Sequence, residues 1–349
     1  MKTSAGNFFE DFRLKQRFVH ATPRTLTVGD AALYQALYGS RFAVQSSDRL
    51  ARAVGLPRAP LDRLLVFHTV FGKTVPDISR NAIANLGYAE ARFVKPVYPG
   101  ATLCAVSEVI GLKENANKNS GVVYVRTQGF DETGAEVLTY VRWVMVRKRD
   151  AAATVPEPVI PMLAECVPSD AIAVPECDFR GFNLASSGSP FLWDDYDIGE
   201  KIDHVDGVTV EEAEHMMATR LYQNTARVHF NQHSESRSRF GRRLIYGGHA
   251  MSVARALSFN GLQNALTIAA INGGRHVNPL FAGDTVFAWS QVLDKARIAE
   301  REDCAALRLR LVATKDLPCE DFPDKDADGK YPDNVILDLD YWALMPKRS

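Results

Sequence analysis

The sequence predicts an α+β protein that contains two copies of one fold, each an antiparallel sheet wrapped round an enclosed helix. Three features of the 349 residues support this: an internal repeat, a proline-rich stretch between its halves, and in each half a helical segment followed by strand-like segments. A chain of this length can bury two cores of ordinary size. We expect a first copy at residues 1–150, a linker at 151–183 and a second copy at 184–349.

The repeat consists of four matches that occur in the same order in both halves, with offsets of about 182 to 199 residues. Four collinear matches indicate a duplication, and small insertions account for the drift. The matching segments are D-F-R-L-K-Q-R-F-V-H and D-Y-D-I-G-E-K-I-D-H, L-T-V-G-D and V-T-V-E-E, R-F-V-K-P-V-Y-P-G-A-T-L and R-H-V-N-P-L-F-A-G-D-T-V, and Y-V-R-W-V-M-V-R-K-R and D-Y-W-A-L-M-P-K-R.

The boundary between the copies lies where the composition changes. Residues 151–176 hold five of the seventeen prolines. Proline fixes φ and has no N–H for a strand ladder, so this stretch is predicted to be an extended linker.

Two helices are predicted in each copy. The first opens at T-V-G-D from Thr27 and at T-V-E-E from Thr209, and in the second copy Thr209 and Glu212 can form a capping box. The second helix of copy two, G-H-A-M-S-V-A-R-A-L-S-F-N, is apolar over most of its girth, which is typical of an enclosed helix.

Three strands are predicted to close each copy, because these segments alternate or are rich in β-branched residues. They are T-L-C-A-V-S-E-V-I, G-V-V-Y-V-R-T-Q and V-L-T-Y-V-R-W-V-M-V in copy one, and T-V-F-A-W-S-Q-V-L, A-L-R-L-R-L-V-A-T and V-I-L-D-L-D-Y-W-A-L-M in copy two.

Composition excludes several classes of function. The chain is 46% hydrophobic and 24% charged with a net charge of −1, which gives no electrostatic case for binding nucleic acid or an anionic membrane. No apolar run is long enough to span a bilayer, and the start of the chain does not read as a signal peptide. Five cysteines without a C-x-x-C predict reduced thiols and a cytoplasmic location.

One polar stretch of copy two, Q-N-T-A-R-V-H-F-N-Q at residues 223–232, resembles a known catalytic loop. With Tyr246-Gly-Gly-His249 and the strand entry P-L-F-A-G-D-T, it is similar to the MaoC-like enoyl-CoA hydratase family, whose loop reads roughly D-x-N-P-x-H. The resemblance implies two hot dog domains in tandem, the second catalytic and the first non-catalytic. No third metal ligand accompanies His229 and His233, so we expect no metal and no cofactor.

A narrower resemblance is carried by L-Y-G-S-R-F-A-V-Q-S-S-D, L-L-V-F-H-T-V-F-G-K-T-V-P-D-I-S and R-L-I-Y-G-G-H. These stretches are similar to the mesaconyl-CoA hydratase family. That similarity implies a hydro-lyase that reversibly dehydrates β-methylmalyl-CoA to mesaconyl-CoA. A broader (R)-3-hydroxyacyl-CoA hydratase and a hot dog acyl-CoA thioesterase are the alternatives, because fold alone does not fix function.

The resemblance assigns roles that suit the chemistry of hydration. His229 is expected to exchange a proton with water, because histidine titrates near neutral pH. Asn224 stands where the family usually has an aspartate, so we expect it to orient the water rather than take a proton. Backbone N–H groups at Gly247 and Gly248 are expected to bind the thioester oxygen. His249 either lines the pocket or caps the central helix.

The second carboxylate of a dicarboxylyl substrate requires a cation, and a bidentate arginine is the usual partner. Arg227 and Arg41 are the candidates, since they are placed at matching positions of the two loops; alternatively they tie each loop to its own sheet. Asn231 is expected to assist at the site. Asn272 either contacts the pocket or belongs to a turn. In copy one Ala43 aligns with His229, which predicts a non-catalytic half, and a further homodimer is expected.

Overall fold

The computed structural model describes residues 2–348, and its two halves share one plan, in which short N-terminal strands and helices precede a longer helix and four long strands. The first half contains β1 (Arg17–Thr25), α1 (Val28–Tyr38), α2 (Ala43–Ser46), α3 (Asp48–Ala53), α4 (Arg63–Thr74), β2 (Ala82–Phe93), β3 (Thr102–Glu114), β4 (Ser120–Phe130) and β5 (Glu136–Arg147). The second contains α5 (Leu184–Ser187), β6 (Lys201–Asp203), β7 (Val208–Thr209), α6 (Glu212–Leu221), α7 (Arg227–Phe230), α8 (Gln232–Glu235), α9 (Gly247–Leu257), β8 (Thr267–His276), β9 (Thr285–Arg297), β10 (Cys304–Lys315) and β11 (Val335–Pro346).

The strands form one 11-stranded sheet in the order β1-β3-β4-β5-β2-β8-β11-β10-β9-β6, with β7 paired to β9 beside this path. Read outward from its centre, each half has the same strand order. The halves meet where β2 pairs antiparallel with β8, from Tyr88↔Gly274 to Arg92↔Ala270. The six strands predicted from the sequence lie within β3, β4, β5, β9, β10 and β11, so those predictions are confirmed.

One helix in each half is enclosed by the sheet. Every residue of α4 is buried, and α9 is buried from Gly248 to Arg255. The two helices touch, since His68 Nε2 lies 3.1 Å from Ser252 Oγ. The prediction of an enclosed second helix in copy two is therefore confirmed.

The structure shifts the register of the repeat by two residues. The Leu26 N–H donates to the Ala101 carbonyl at 2.9 Å, and the Val210 N–H donates to the Asp284 carbonyl at 2.9 Å. Val210 therefore holds the place of Leu26, although the sequence match had paired Leu26 with Val208. The match was misleading because both halves carry a T-V pair at slightly different positions.

This shift makes the capping box predicted at Thr209 wrong. Thr209 ends β7, where its hydroxyl lies 2.9 Å from that of Thr285, and α6 begins after Glu211. In copy one the box is present, with the side chains of Thr27 and Asp30 bonded to each other's backbone N–H.

The central strands β2 and β8 were not predicted from the sequence. They read A-I-A-N-L-G-Y-A-E-A-R-F and T-I-A-A-I-N-G-G-R-H, and alanine, asparagine and glycine are depleted in strands. Small residues are required here by packing: a Cβ on Gly87 would overlap the Trp143 ring. Tertiary context thus overrides local propensity at the centre of the sheet.

The proline-rich stretch runs along both halves. Val159 forms an isolated β-bridge with Leu112 of the first half. The Val167 N–H donates to Asn272 Oδ1 of the second half at 2.9 Å. The Phe179 N–H donates to Asp303 Oδ2 at 2.7 Å. The boundaries at 150 and 183 remain a prediction. Within residues 2–348 no helix is long and apolar enough to cross a membrane.

We expect Gly72→Ala to destabilise the protein. Gly72 on α4 packs against the Tyr222 backbone, and an added Cβ would overlap the Tyr222 carbonyl oxygen. Overpacking of this kind costs about 1–3 kcal/mol, and a backbone obstacle cannot rotate away. Urea unfolding measures the change. Gly29→Ala is the control, because an added Cβ at this exposed helical position has room and should leave the free energy of unfolding unchanged or slightly higher.

Candidate active site

A cavity of about 780 Å³ lies between the two halves and is lined by both. The second half contributes the polar loop and the start of α9, with Asn224, His229 and Gly247 in the wall. The first half contributes residues of β2 and β5, including Tyr88 and Arg142. A volume of this size is that of a small-molecule site.

His229 is held so that one ring nitrogen is free. It lies on the short helix α7, and its Nδ1 is 2.9 Å from the Leu244 carbonyl oxygen. A carbonyl only accepts, so Nδ1 carries the proton and Nε2 keeps its lone pair. Nε2 has no partner among residues 2–348. Burial lowers the pKa of His229 to about 4, so the ring is neutral at pH 7 and able to accept a proton.

Asn224 is also in the cavity wall and is almost fully buried. Its Oδ1 accepts from the Ala226 N–H at 3.2 Å, which orients the amide and leaves Nδ2 as a donor. The backbone turns sharply just before it, where Gln223 has a positive φ of 54°. Asn224 can therefore hold a water molecule but cannot take a proton from it.

The start of α9 offers free backbone donors. Tyr246 is the N-cap, and within the described chain the N–H groups of Gly247 and Gly248 have no hydrogen-bond acceptor. Unpaired amides at a helix start favour negative charge. Gly247 lines the cavity, and Gly248 packs against His68 and Tyr246 behind it. Both positions exclude a side chain, because a Cβ would overlap these rings or that of His276.

Two histidines that were not predicted as site residues support this helix start. His215 Nε2 accepts from the Tyr246 N–H at 2.9 Å, which fixes the N-cap. His276 lines the cavity, and its Nε2 lies 3.1 Å from the Tyr88 hydroxyl. Burial lowers the pKa of both rings, so they remain neutral. Their isolated positions on α6 and β8 gave no motif by which to find them.

The other predicted site residues lie outside the cavity wall. Arg227, Arg41 and Asn231 are exposed; Arg41 lies over the Phe259 ring, and Asn231 caps α8.

The two remaining candidates are buried away from the cavity. Asn272 forms hydrogen bonds with the linker and with Asp340. His249 packs behind the wall, with Nδ1 3.0 Å from the Tyr38 hydroxyl. None of these five side chains reaches the cavity in this structure, so their roles at the site have no geometric support.

The equivalent place in copy one is nearly closed. The Leu61 N–H donates to the Val97 carbonyl at 2.8 Å, as the Ile245 N–H does to Leu280 at 3.0 Å. Counting from these pairs, Gln45 stands where His229 does, and Arg63 where Gly247 does. The predicted alignment of Ala43 with His229, and of Arg41 with Arg227, is therefore shifted by two residues.

Linker residues fill the place in copy one that corresponds to the cavity of copy two. The remaining space is about 30 Å³ and is lined by Gln45 and Arg63 together with Pro175, Cys177 and Phe179 of the linker. A substrate cannot enter a space of this size. The copy-one place thus lacks the imidazole, the free helix start and the room of the copy-two site.

The mouth of the large cavity is basic. Arg147, Arg237 and Arg239 line it and are exposed. Glu235 is the one carboxylate in the described wall, and it lies on α8 near these arginines. No group of three or more metal-ligating side chains occurs among residues 2–348.

Known proteins of similar sequence are named hydratases or dehydratases. A family model described as mesaconyl-CoA hydratase matches residues 2–318. The chain is 64% identical over 349 residues to a β-methylmalyl-CoA dehydratase of Chloroflexus aurantiacus, covering 100% of the chain and 99% of the relative. It is 61% identical over 348 residues to a mesaconyl-CoA hydratase of Cereibacter sphaeroides, covering 99% of the chain and 100% of the relative.

Solved structures confirm the predicted fold class. A MaoC domain protein dehydratase from Chloroflexus aurantiacus superposes with a TM-score of 0.98 at 63% identity, with 100% of both chains covered. A double hotdog protein from Mycobacterium tuberculosis superposes with a TM-score of 0.77 at 25% identity, covering 98% of this chain and 99% of that one. The fold is a double hot dog.

We expect the free energy of unfolding to fall as the pH drops below about 6.5. The unfolded chain protonates its histidines in this range, whereas six buried rings stay neutral in the folded chain down to about pH 4 or lower, so folding opposes proton uptake. Each contributes up to about 1.4 kcal/mol per pH unit, and stability therefore rises with pH in this window. The rings whose pKa burial lowers are His68, His204, His215, His229, His249 and His276.

Urea unfolding between pH 7.5 and 4.5 tests this. His204→Asn removes one buried ring and should make the slope shallower, whereas the exposed His233→Asn should not. A free energy of unfolding that is independent of pH over this range would contradict the interpretation.

Proposed function

Because the chain belongs to the mesaconyl-CoA hydratase family, we propose that it is a hydro-lyase that reversibly dehydrates β-methylmalyl-CoA to mesaconyl-CoA. The observation that carries this proposal is the neutral His229 ring, with Nδ1 fixed by the Leu244 carbonyl and a free Nε2 in the wall of the cavity. The substrate is a four-carbon chain with a methyl branch, a thioester at one end and a carboxylate at the other.

His229 serves as the proton carrier. In hydration, the water oxygen bonds to the carbon β to the thioester while Nε2 takes one water proton. The electron pair of the double bond moves towards the thioester oxygen, and the α-carbon then takes a proton from the imidazolium. The developing enolate charge raises the proton affinity of the ring, which offsets the lowering of its pKa by burial. Dehydration runs through the same steps in reverse.

Two further groups support the chemistry. The Gly247 N–H can donate to the thioester oxygen as it becomes negative, which is worth about 3 kcal/mol per donor in other enzymes. The neighbouring Gly248 N–H lies in the same helix turn. Asn224 Nδ2 can hold the water oxygen beside His229, in place of the aspartate that the family usually has. The only carboxylate in the described wall is Glu235 near the mouth, so His229 acts without a neighbouring acid.

The basic mouth suits the phosphates of CoA. Arg147, Arg237 and Arg239 are exposed and have no acidic partner within the described chain, so they can meet phosphate oxygens. We assign catalysis to the second half alone, because the place of His229 is taken by Gln45 in the first half. The homodimer and the cytoplasmic location predicted from the sequence remain predictions.

The first test presents the purified protein with mesaconyl-CoA and crotonyl-CoA. We expect loss of the enoyl absorbance with mesaconyl-CoA, a much smaller rate with crotonyl-CoA, and no free thiol from either. Release of thiol would indicate a thioesterase. Equal rates with both substrates would indicate a hydratase of broader specificity.

The second test addresses the proton carrier. His229→Ala should lower kcat by about 10²-fold or more, because general acid–base catalysis contributes about 10²- to 10⁴-fold. Asn224→Ala should lower kcat less, and Asn224→Asp tests whether a carboxylate can serve there. His233→Ala is the control, since this exposed side chain lies outside the wall. Near wild-type turnover by His229→Ala would remove the assigned role.

A further inference from the structure

Arg142 is the most buried cation of the cavity. It lies on the inner face of β5, is 0% exposed and lines the wall contributed by the first half. Its guanidinium carbon lies 4.2 Å from the centre of the Phe71 ring, and Phe71 in turn packs against Tyr246 at the helix start. The charge is therefore in a buried part of the cavity wall, unlike the exposed arginines Arg147, Arg237 and Arg239.

The guanidinium is only partly satisfied. Nη2 donates to the hydroxyls of Thr74 at 2.8 Å and Ser79 at 3.3 Å, whereas Nε and Nη1 are buried and have no partner in the described part of the chain. No carboxylate within residues 2–348 pairs with Arg142. The titratable side chains near it are Tyr88, Tyr140 and Tyr246, and burial lowers its pKa from the ordinary arginine value. A buried charge without a counterion is costly, so this guanidinium suits the binding of an anionic group of a ligand in the cavity.

The local backbone is shaped around this group. Thr74 ends α4, and a π-helical turn at Val75–Ser79 follows it, which brings both hydroxyls to the same nitrogen. Widened turns of this kind are frequent at functional sites. Asn85 lines the same half of the cavity, and both atoms of its amide are buried without a partner.

The fold itself does not require an arginine here. Trp143 pairs with Gly87 and Arg142 with Tyr88, just as Trp342 pairs with Ala270 and Tyr341 with Ile271 in the other half. Tyr341 is therefore the counterpart of Arg142. Since the inner face of the sheet is completed by a tyrosine in one half, the arginine in the other serves something besides packing.

We propose that Arg142 binds the free carboxylate of the substrate and thereby selects dicarboxylyl over simple enoyl thioesters. This inference rests on the proposed function, and it replaces Arg227 and Arg41, whose side chains are exposed. The carboxylate is attached to the carbon that receives water, so the guanidinium also fixes the reacting carbon. Three of its N–H donors are free for this, one on Nε and two on Nη1.

Contacts connect Arg142 with the helix start. Arg142 faces Tyr88 across the strand pair, the Tyr88 hydroxyl lies 3.1 Å from His276 Nε2, and the His276 ring packs on Gly247. Tyr88 and His276 thus link the two parts of the wall that would hold the carboxylate and the thioester.

The test compares mesaconyl-CoA with tiglyl-CoA, in which a methyl group replaces the carboxylate. Arg142→Met replaces the guanidinium with an uncharged side chain of similar length. We expect kcat/KM for mesaconyl-CoA to fall roughly 10²- to 10³-fold, as for loss of one partner of a buried charge pair. The value for tiglyl-CoA should be unchanged or higher. Arg142→Lys, which keeps the charge but loses the planar group, should recover part of the loss.

Arg63→Met is the matched control, because Arg63 is also a buried arginine but lies outside the large cavity. It should leave the ratio of the two kcat/KM values unchanged. Equal losses on both substrates by Arg142→Met, or no loss on mesaconyl-CoA, would overturn the role of Arg142. Equal losses together with a lower melting temperature would identify it as a structural group.

Failure of the proposed function has a different signature. In that case the wild-type protein itself fails to hydrate mesaconyl-CoA in preference to other enoyl thioesters, before any change is made at residue 142. Calorimetric binding of mesaconyl-CoA and tiglyl-CoA to the wild-type protein and Arg142→Met then decides the role of Arg142 by itself. Preference of the wild-type protein for mesaconyl-CoA, lost in Arg142→Met, supports carboxylate binding, and equal preference in both proteins overturns it.

Discussion

The antiparallel pairing of β2 with β8 is the interaction on which the rest of the structure depends. It joins the five strands of the first half and the six strands of the second half into one sheet, and α4 and α9 lie side by side against it. Only in this arrangement do residues of β2 and β5 face the start of α9 across a cavity. A separate second half would keep His229 and Gly247 but lose the opposite wall. The small side chains of the central strands follow from close packing: a Cβ at Gly87 would meet the Trp143 ring of β5, and one at Gly274 would meet Tyr88 across the β2–β8 pair.

The two halves have diverged within the same backbone. One has an imidazole, an open helix start and room for a ligand; the other has Gln45 and Arg63 at those places and is filled by linker residues. The linker directly follows the first half along the chain. It can therefore cover the place in that half that corresponds to the cavity, and no additional helix or strand is needed. The first half keeps a part in recognition, through the wall that carries Arg142 and Asn85.

Much of the fold could be predicted from the sequence, and less of the site. Local sequence patterns predict the enclosed helix and the strands that alternate or are rich in β-branched residues. The strands β2 and β8, in contrast, are determined by tertiary packing. His229, Asn224 and Gly247, which line the cavity, were selected as candidates because they lie in one short motif region. Arg142 stands in a hydrophobic strand, and nothing in its neighbours along the chain distinguishes it from a solvated residue. The two-residue slip between the copies also misdirected attention to Arg227 and Arg41.

Joining the copies in one chain permits an asymmetry that identical subunits cannot have. In a symmetric pair of single domains, any residue placed opposite one reaction centre would recur opposite the other. Here Tyr341 occupies the position related to Arg142, so the polypeptide holds one such guanidinium instead of two. Gene fusion thus allows selectivity to evolve in one half of the molecule, while the equivalent position in the other half can be optimised for packing alone.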